Sequence, residues 1–280
     1  MQPIFVGDVQ GCSEELAELV ARARAAYGEG FELWLVGDLI NRGPGNLAVL
    51  REVRALVDAG RARCVLGNHE IGLLLTAAGL RERKPLDSFV DVLGAPDAGD
   101  WLSWLRKRPL LETGQLGGQR FAMVHASVHP DWSLAELERR ARRVEARLAA
   151  EDPREAAALL AADPGRDPDR DLLGRLTQAR SVTRAGGWSS ELPGGELEPW
   201  HQRWSARGHD YCVVYGHWAL QGLHVEPRLR GLDTGCVHHG RGREGALTAW
   251  IPDPSQPAPF DVPDGRFWHI PARRMYYQAP

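Results

Sequence analysis

Three short apolar runs each end on a polar group at thirty-residue intervals, and no other feature constrains the fold of this chain as strongly. Pro3 to Val6 runs into Gly7-Asp8, Leu33 to Val36 into Gly37-Asp38, and Arg63 to Leu66 into Gly67-Asn68-His69-Glu70. Between them Leu16, Leu19, Val20 and Ala23, then Leu50, Val53 and Val57, recur at helical spacing, and Ile71 to Leu75 opens a third helix. One strand and one returning helix per step is a βαβ unit, so a parallel sheet is predicted. Crossovers of this kind are right-handed, and ligands collect beyond the carboxyl ends of the strands. Asp8, Asp38 and Asn68 are therefore expected to converge on one edge.

Two later runs end in the same way: Phe121 to Val124 leads into His125, and Cys212 to Tyr215 into Gly216-His217. Gly231 to Gly235 is followed, after a glycine-rich turn, by Ala246 to Ile251, which reads as its hairpin partner. Late strands in hairpins imply a second sheet packed on the first. The segments between read as insertions. Ser88 to Lys107 is predicted helical, with Trp101, Leu102, Trp104 and Leu105 on an apolar face. Ser133 to Ala150 begins with Ser133 and Glu136 in a capping-box pattern. Residues 163–171 read as a loop of alternating charge, and 183–210 are rich in Trp and Gly without periodicity. Residues 251–265 are too proline-rich for a central strand and read as a surface loop.

At 280 residues the chain can bury a full core as one domain carrying insertions. A formal net charge of -3 argues against a surface built to wrap a nucleic-acid duplex. The cations are 32 Arg and two Lys (Lys84 and Lys107), a bias that reads as genome composition and not as a phosphate-binding signal. Cys12, Cys64, Cys212 and Cys236 are widely spaced with no CxxC pair, which argues against a zinc ribbon or a disulfide scaffold. With no apolar leader and no window of spanning length, a soluble cytoplasmic protein is expected.

An edge carrying Asp8, Gln10, Asp38, Asn68, His125 and His217 offers carboxylates, carboxamides and imidazoles together. That mixture suits Mn, Fe or Zn better than Ca or a thiolate-seeking ion. Taken singly each group has a plain structural role: an Asp after a strand caps a helix, GNHE makes a turn, and a loop histidine finds a hydrogen bond. A whole set placed directly after apolar runs is a metal constellation, with Asp38, on the middle motif, as the natural bridge between two ions about 3.5 to 4 Å apart.

The ordered stretches GDVQGC, GDLINRGPGN, GNHE, VHAS, YGHW and LDTGC resemble the motifs of the calcineurin-like metallophosphoesterases, whose usual opening is GDxHG. The branch most similar is that of the symmetrical diadenosine tetraphosphatases, through LWLVGDLINRGPGNLAVL, LGAPDAGDWLSWLRKRPLL and HASVHPDWSL, with Ser127 in place of the usual Gly. The resemblance covers nearly the whole chain and is weakest over 150–210 and beyond 250. It implies an α/β fold of two packed mixed β-sheets flanked by helices. Helical insertions at about 80–118 and 130–210 would form a cap on a single domain, 1–280. It also implies two divalent metal ions, with Asp8 and Gln10 on the first, Asp38 bridging, and Asn68, His125 and His217 on the second. Mn(II) is the ion expected, while Co, Fe and Zn also tolerate these donors. His69 is implied as the general acid and Arg42 as a phosphate clamp, with Arg184 a second phosphate contact and Asp233 a structural partner. Hydrolysis of diadenosine tetraphosphate and related dinucleoside polyphosphates to two ADP, by attack on phosphorus of a hydroxide held by the two metals, is the activity implied. Capped RNA 5' ends present the same anhydride, and a monomer is expected.

Two departures bear on these expectations. Gln10 stands where the family opening has His, exchanging a neutral nitrogen for a neutral amide oxygen; it either ligates the first ion or holds its water. Asn41 stands where the protein-phosphatase branch has an Asp that orients the histidine, which favours an anhydride with a good leaving group over a phosphoprotein. The rival readings are a serine/threonine protein or general phosphatase with the same centre, and a metal-poor binding module supported only by Gln10.

Overall fold

Strand β1 (Gln2–Val6), helix α1 (Ser13–Tyr27), β2 (Phe31–Leu35), α2 (Asn46–Asp58), β3 (Ala62–Cys64) and α3 (Asn68–Ala77) form the three predicted repeats. They were traced in a computed structural model that describes residues 1–240, 242–261 and 266–277. β1 pairs in parallel with β2, and β2 with β3, in the register Ile4 to Leu33 to Ala62. Alternation along the strands divides the core. Ile4, Val6, Leu33 and Leu35 face the helices with Leu16, Leu19, Leu50 and Val53. Phe5 and Trp34 face the other way, against a second sheet. Burial on both faces explains why these strands read as apolar runs and not as alternating ones.

The chain continues through α4 (Val90–Leu93), α5 (Ala98–Arg106), β4 (Leu111–Leu116), β5 (Gln119–Val124), α6 (Leu134–Leu148), α7 (Pro153–Ala161) and α8 (Pro168–Gln178). Then come β6 (Ser181–Val182), β7 (Trp188–Ser189), β8 (Glu198–Pro199), α9 (Trp200–Ala206), β9 (Tyr211–Tyr215), β10 (His224–Glu226), β11 (Leu229–Gly231), β12 (Ala246–Trp250) and β13 (Phe267–Pro271). Among the described residues the strand orders are β13-β12-β1-β2-β3 and β10-β11-β9-β5-β4, with a small ribbon β7-β6-β8 in the insertion. Both large sheets are mixed, and helices flank them, as the resemblance implied. Phe121 of β5 meets Phe5 edge-on at 5.2 Å between ring centroids and Trp34 at the same distance. Each such pair adds about 0.5–1.5 kcal/mol beyond its buried area.

Several sequence expectations are corrected. Ala246 to Trp250 does not pair as a hairpin with 231–235: β12 lies antiparallel between β1 and β13 in the first sheet, whereas β11 joins β9 in the second. The chain therefore passes from one sheet to the other between these strands, and among the described residues one isolated bridge, Gly235 to Ala246, joins the two stretches. The helix expected over 88–107 is interrupted between α4 and α5, where Pro96 cannot continue the ladder. The charged stretch 163–171 is only partly loop, because Asp167 caps α8 by accepting the Asp169 and Arg170 N–H groups, with Pro168 in the first turn. Ser133 does cap α6, accepting Glu136 N–H at 3.3 Å, but the reciprocal half of the box is missing because Glu136 pairs with Arg139 and Arg140. Residues 251–261 are irregular, as expected, and Arg230 anchors them by donating to the Pro259 and Phe260 carbonyls; 262–265 lie outside the described residues.

Candidate metal centre

The loops that follow β1, β2, β3, β5 and β9 meet at one edge, bringing Asp8, Gln10, Asp38, Asn68, His125 and His217 together from five separate segments. Their backbones are held in unusual shapes. Gln10 (φ 49°), Asp38 (φ 49°), Asn41 (φ 81°), Arg42 (φ 68°) and His217 (φ 67°) all occupy the left-handed region. Each non-glycine residue there costs roughly 1–2 kcal/mol, and such strain persists only where surroundings enforce it. Here the Asp38 carbonyl accepts both Val9 N–H (3.1 Å) and Gln10 N–H (2.7 Å), which locks the first loop onto the second. Close approach also explains two glycines. A β-carbon at Gly67 would collide with the Asp38 carboxylate, and one at Gly216 with that of Asp8.

Sequence reasoning missed Glu70, which organises the edge. Its carboxylate is fully buried and accepts Gly67 N–H (2.8 Å), Asp38 N–H (3.0 Å) and Ile40 N–H (3.2 Å). One side chain thus ties the β2 loop to the start of α3. Its position three residues after Gly67 is the N3 site of a capping box, a signal present in GNHE.

The donor atoms converge. His125 Nδ1–H donates to the Val36 carbonyl (3.0 Å) and His217 Nε2–H to the Gln178 carbonyl (2.9 Å). Those bonds fix the tautomers and leave His125 Nε2 and His217 Nδ1 as lone pairs. Both lone pairs point at Asn68 Oδ1, at 3.0 and 2.9 Å, and His125 Nε2 also lies 3.4 Å from Asp38 Oδ1. Acceptors facing acceptors at such distances fit a cation placed among them, and ligand atoms of Asp38, His125 and His217 lie within 4.8 Å of one another. On the other side, Gln10 Nε2 donates to Asp38 Oδ2 at 3.3 Å, leaving its amide oxygen as the available donor atom. Both Asp8 oxygens accept His217 N–H at 3.2 Å.

Electrostatics agree with this geometry. Burial, then Asp233 and Asp38, push the Asp8 carboxyl well above its usual range. Burial also lifts Asp233, to about 6, with Asp38 adding to the effect and the Gly235 N–H opposing it. Burial would raise Asp38 too, but positive charge on the facing His125 and His69 rings overrides it and holds that carboxyl below its ordinary value, a charge that a metal cation would supply when the rings are neutral. Crowded buried carboxylates beside imidazole lone pairs are what divalent cations neutralise. Asp233 lines the same cavity.

The family profile of the calcineurin-like phosphoesterases matches residues 1–218. The chain belongs to the calcineurin-like phosphoesterase family. A relative from Janthinobacterium sp. (strain Marseille), named bis(5'-nucleosyl)-tetraphosphatase, symmetrical, is 37% identical over 260 residues, spanning 86% of this chain and 91% of its own. One of the same name from Burkholderia thailandensis is 39% identical over 85% of this chain and 87% of its own. A crystal structure provisionally assigned as a diadenosine tetraphosphatase superposes with a TM-score of 0.62 at 25% identity, covering 97% of this chain and 93% of that one. A yeast protein serine/threonine phosphatase (TM-score 0.52, 13% identity, 100% of this chain and 81% of that one) shares the fold. Membership in a calcineurin-like phosphoesterase family implies a divalent two-metal centre, and the donor set described above fits one.

In this phosphoesterase the centre opens into a cavity of about 750 Å³ lined by Arg42, His69, Arg180, Trp218, Leu220 and Arg243, among others. A second cavity of about 350 Å³, with Arg81, Lys84 and Arg170 on its wall, shares Asn68, Arg180 and His217 with the first. Arg184 is exposed and lines neither, whereas Arg180 and Arg243 line the first together with Arg42. Of the tryptophans, Trp101, Trp104, Trp200 and Trp204 are core, while Trp218, directly after His217, lines the cavity.

Asn41 does not orient His69. Its amide donates to Asp87 (3.0 Å) and its carbonyl accepts Arg42 N–H and Ser88 N–H, so it braces the loop. Asp87 in turn sits 3.6 Å from the Arg42 guanidinium and pairs with Arg81. His69 Nε2 lies 3.5 Å from Asp38 Oδ2, and its Nδ1 is buried without a hydrogen-bond partner. Burial pushes the His69 imidazole down, with Asp38 opposing.

Proposed function

We propose that this chain hydrolyses diadenosine tetraphosphate and related dinucleoside polyphosphates symmetrically, giving two ADP. The observation that carries the reading is that two adjoining cavities share Asn68, Arg180 and His217 in their walls. A phosphorus atom seated there has room for chain on both sides, which an internal anhydride needs and a terminal monoester does not. The cations along both walls suit a polyphosphate, and Trp218 offers an aromatic face to a base. The names of the relatives support the same substrate.

Asp8, Gln10 and Asp38 would hold one ion, and Asp38, Asn68, His125 and His217 the other; Mn(II) is the ion proposed. When bound, the pair supplies Lewis-acid chemistry, acidifying water and polarising phosphoryl oxygens. The side chains do the rest. Arg42, which lines the cavity, is placed to donate to a phosphoryl oxygen, with Asp87, 3.6 Å from its Nη1, holding its charge in position. Arg180 and Arg243 neutralise the flanking phosphates. His69 is the group positioned to hand a proton to the departing oxygen. ADP is a weakly basic leaving group, so a histidine without a carboxylate partner on Nδ1 suffices.

Product analysis tests the reading. Diadenosine tetraphosphate with Mn(II) should give ADP alone; AMP with ATP, or faster release of phosphate from a phosphopeptide, would overturn it. Arg180→Ala should raise KM at least tenfold, the scale of one charge-assisted hydrogen bond of about 1.5–3 kcal/mol, whereas Arg184→Ala should stay within about twofold. Equal effects of the two variants would remove Arg180 from the substrate site. Gln10→His should keep hydrolysis and move metal preference toward Zn or Co, since histidine tolerates the left-handed φ of position 10. Loss of all activity in a folded Gln10→His protein would show that the amide has a role imidazole cannot fill.

A further inference from the structure

Outside the central donor set, on the far side of Trp218, α9 and β10 bring together a second group of metal-ligating side chains. His224 and Glu226 are two apart on β10, so both project from the same face of the strand. His201 reaches them from α9, with its ring centroid 4.4 Å from that of His224. One ligand atom from each of the three lies within 4.8 Å of the others. We infer that His201, His224 and Glu226 form a further metal site, with donors that suit zinc, that ties the insertion to the edge of the second sheet.

The donor chemistry is specific. Two imidazoles, one carboxylate and a water complete a four-coordinate zinc sphere, and neither Ca nor Mg favours two nitrogen donors. The supporting contacts are those a zinc site carries. His224 Nδ1 lies 2.5 Å from the Tyr215 hydroxyl, which fixes the ring and leaves Nε2 toward Glu226 Oε1 at 2.9 Å. Without an ion, two ligands of one site meet directly in this way. Tyr215 is itself held by Gln221 (2.9 Å), whose amide also reaches His201 Nε2 at 3.0 Å.

His201 supplies a second, independent observation. Its ring is only 4% exposed, and Nδ1 is buried with no hydrogen-bond partner. With the Gln221 amide turned so that its oxygen accepts His201 Nε2–H, the buried Nδ1 is a lone pair; left unpaired it costs about 1–3 kcal/mol, and an ion held there removes that cost. Burial, with His224 adding to it, pushes the His201 imidazole down to about 4, so it is neutral and able to ligate at physiological pH. Zinc bonds of about 2.0–2.2 Å require the three donors to close up modestly, and exposed Glu226 has the freedom to do so. The loop between His217 and His224, which carries Trp218 and Leu220 into the substrate cavity, would then be stapled at both ends, by the central site and by this one.

Metal counting decides the matter independently of any substrate. Wild type, His224→Gln and Glu226→Ala are stripped with chelator, reloaded with excess Zn²⁺, desalted and measured by mass spectrometry of the metal per chain. Each variant should hold one zinc fewer than wild type, with hydrolysis of diadenosine tetraphosphate within twofold and a smaller zinc-dependent rise in Tm. Glu226 is exposed, so Glu226→Ala is the variant that keeps the fold should His224→Gln disturb it. Equal zinc in wild type and Glu226→Ala would overturn the site.

Discussion

Asp38→Asn is expected to all but abolish hydrolysis, lowering kcat/KM for diadenosine tetraphosphate by roughly a hundred- to a thousandfold, the loss seen when one preorganised electrostatic group is removed from a transition state. The residue is 1% exposed and every part of it is in use. Its Oδ1 accepts His69 N–H at 2.9 Å and lies 3.4 Å from His125 Nε2, while Oδ2 lies 3.3 Å from Gln10 Nε2 and 3.5 Å from His69 Nε2. An amide of the same shape puts an N–H₂ group where one of these oxygens stood. It also removes the single charge that both halves of the donor set share. Metal content should fall with activity, measured on the same preparation, and far-UV circular dichroism should be unchanged. Activity near that of wild type would remove the bridging assignment.

The largest loss of stability from a single polar residue is expected at Glu70. Glu70→Ala leaves the N–H groups of Gly67, Asp38 and Ile40 buried without their acceptor. Each unmet buried donor costs about 1–3 kcal/mol, so a loss of about 3–5 kcal/mol is expected once local relaxation is allowed for. Glu70→Gln is the informative companion. With its amide oxygen in the Oε2 position it still serves Gly67 and Asp38, and only Ile40 N–H meets a donor, so a loss of about 1–2 kcal/mol is expected. Urea unfolding separates the two variants; equal stability would show that the carboxylate is not what joins the two loops. Metal affinity should fall in the same order, because Asp38 keeps its left-handed backbone only while its own N–H is held.

Much of the donor set was legible because each member ends an apolar run. A parallel strand buried on both faces is written as an unbroken hydrophobic stretch, and the first polar residue after it must lie at the carboxyl edge. That logic located Asp8, Asp38, Asn68, His125 and His217 without knowledge of strand order. It failed for residues whose role depends on a distant neighbour. Glu70 follows the run like the others, but nothing local shows that it points back under the loop after β2. Arg180 and Arg184 are equally plausible in RSVTR, and only the placement of β6 decides which one reaches the cavity. Asn41 looked like a weakened orienter of His69 until Asp87, 46 positions later, was found holding its amide. Trp218 was hidden among ten tryptophans, since indole packs as readily in a core as against a base.

The pairing of late strands was out of reach for a related reason. Period-two patterning tells which face of a strand is buried but not which sheet it joins, and β11 and β12, near neighbours in sequence, belong to different sheets. The sequence alone determined the thirty-residue repeat, the parallel order that follows from it, the polar residues at the strand ends and the family they mark. The tertiary structure alone decided how those residues face one another: which lone pairs converge on Asn68, which arginines line the cavities, and that His201 meets His224 and Glu226. The division has a physical cause. Strand and helix periodicities are fixed by local backbone geometry and burial, which neighbouring residues encode, whereas a site is made of distances between segments, and those exist only after the sheets have packed.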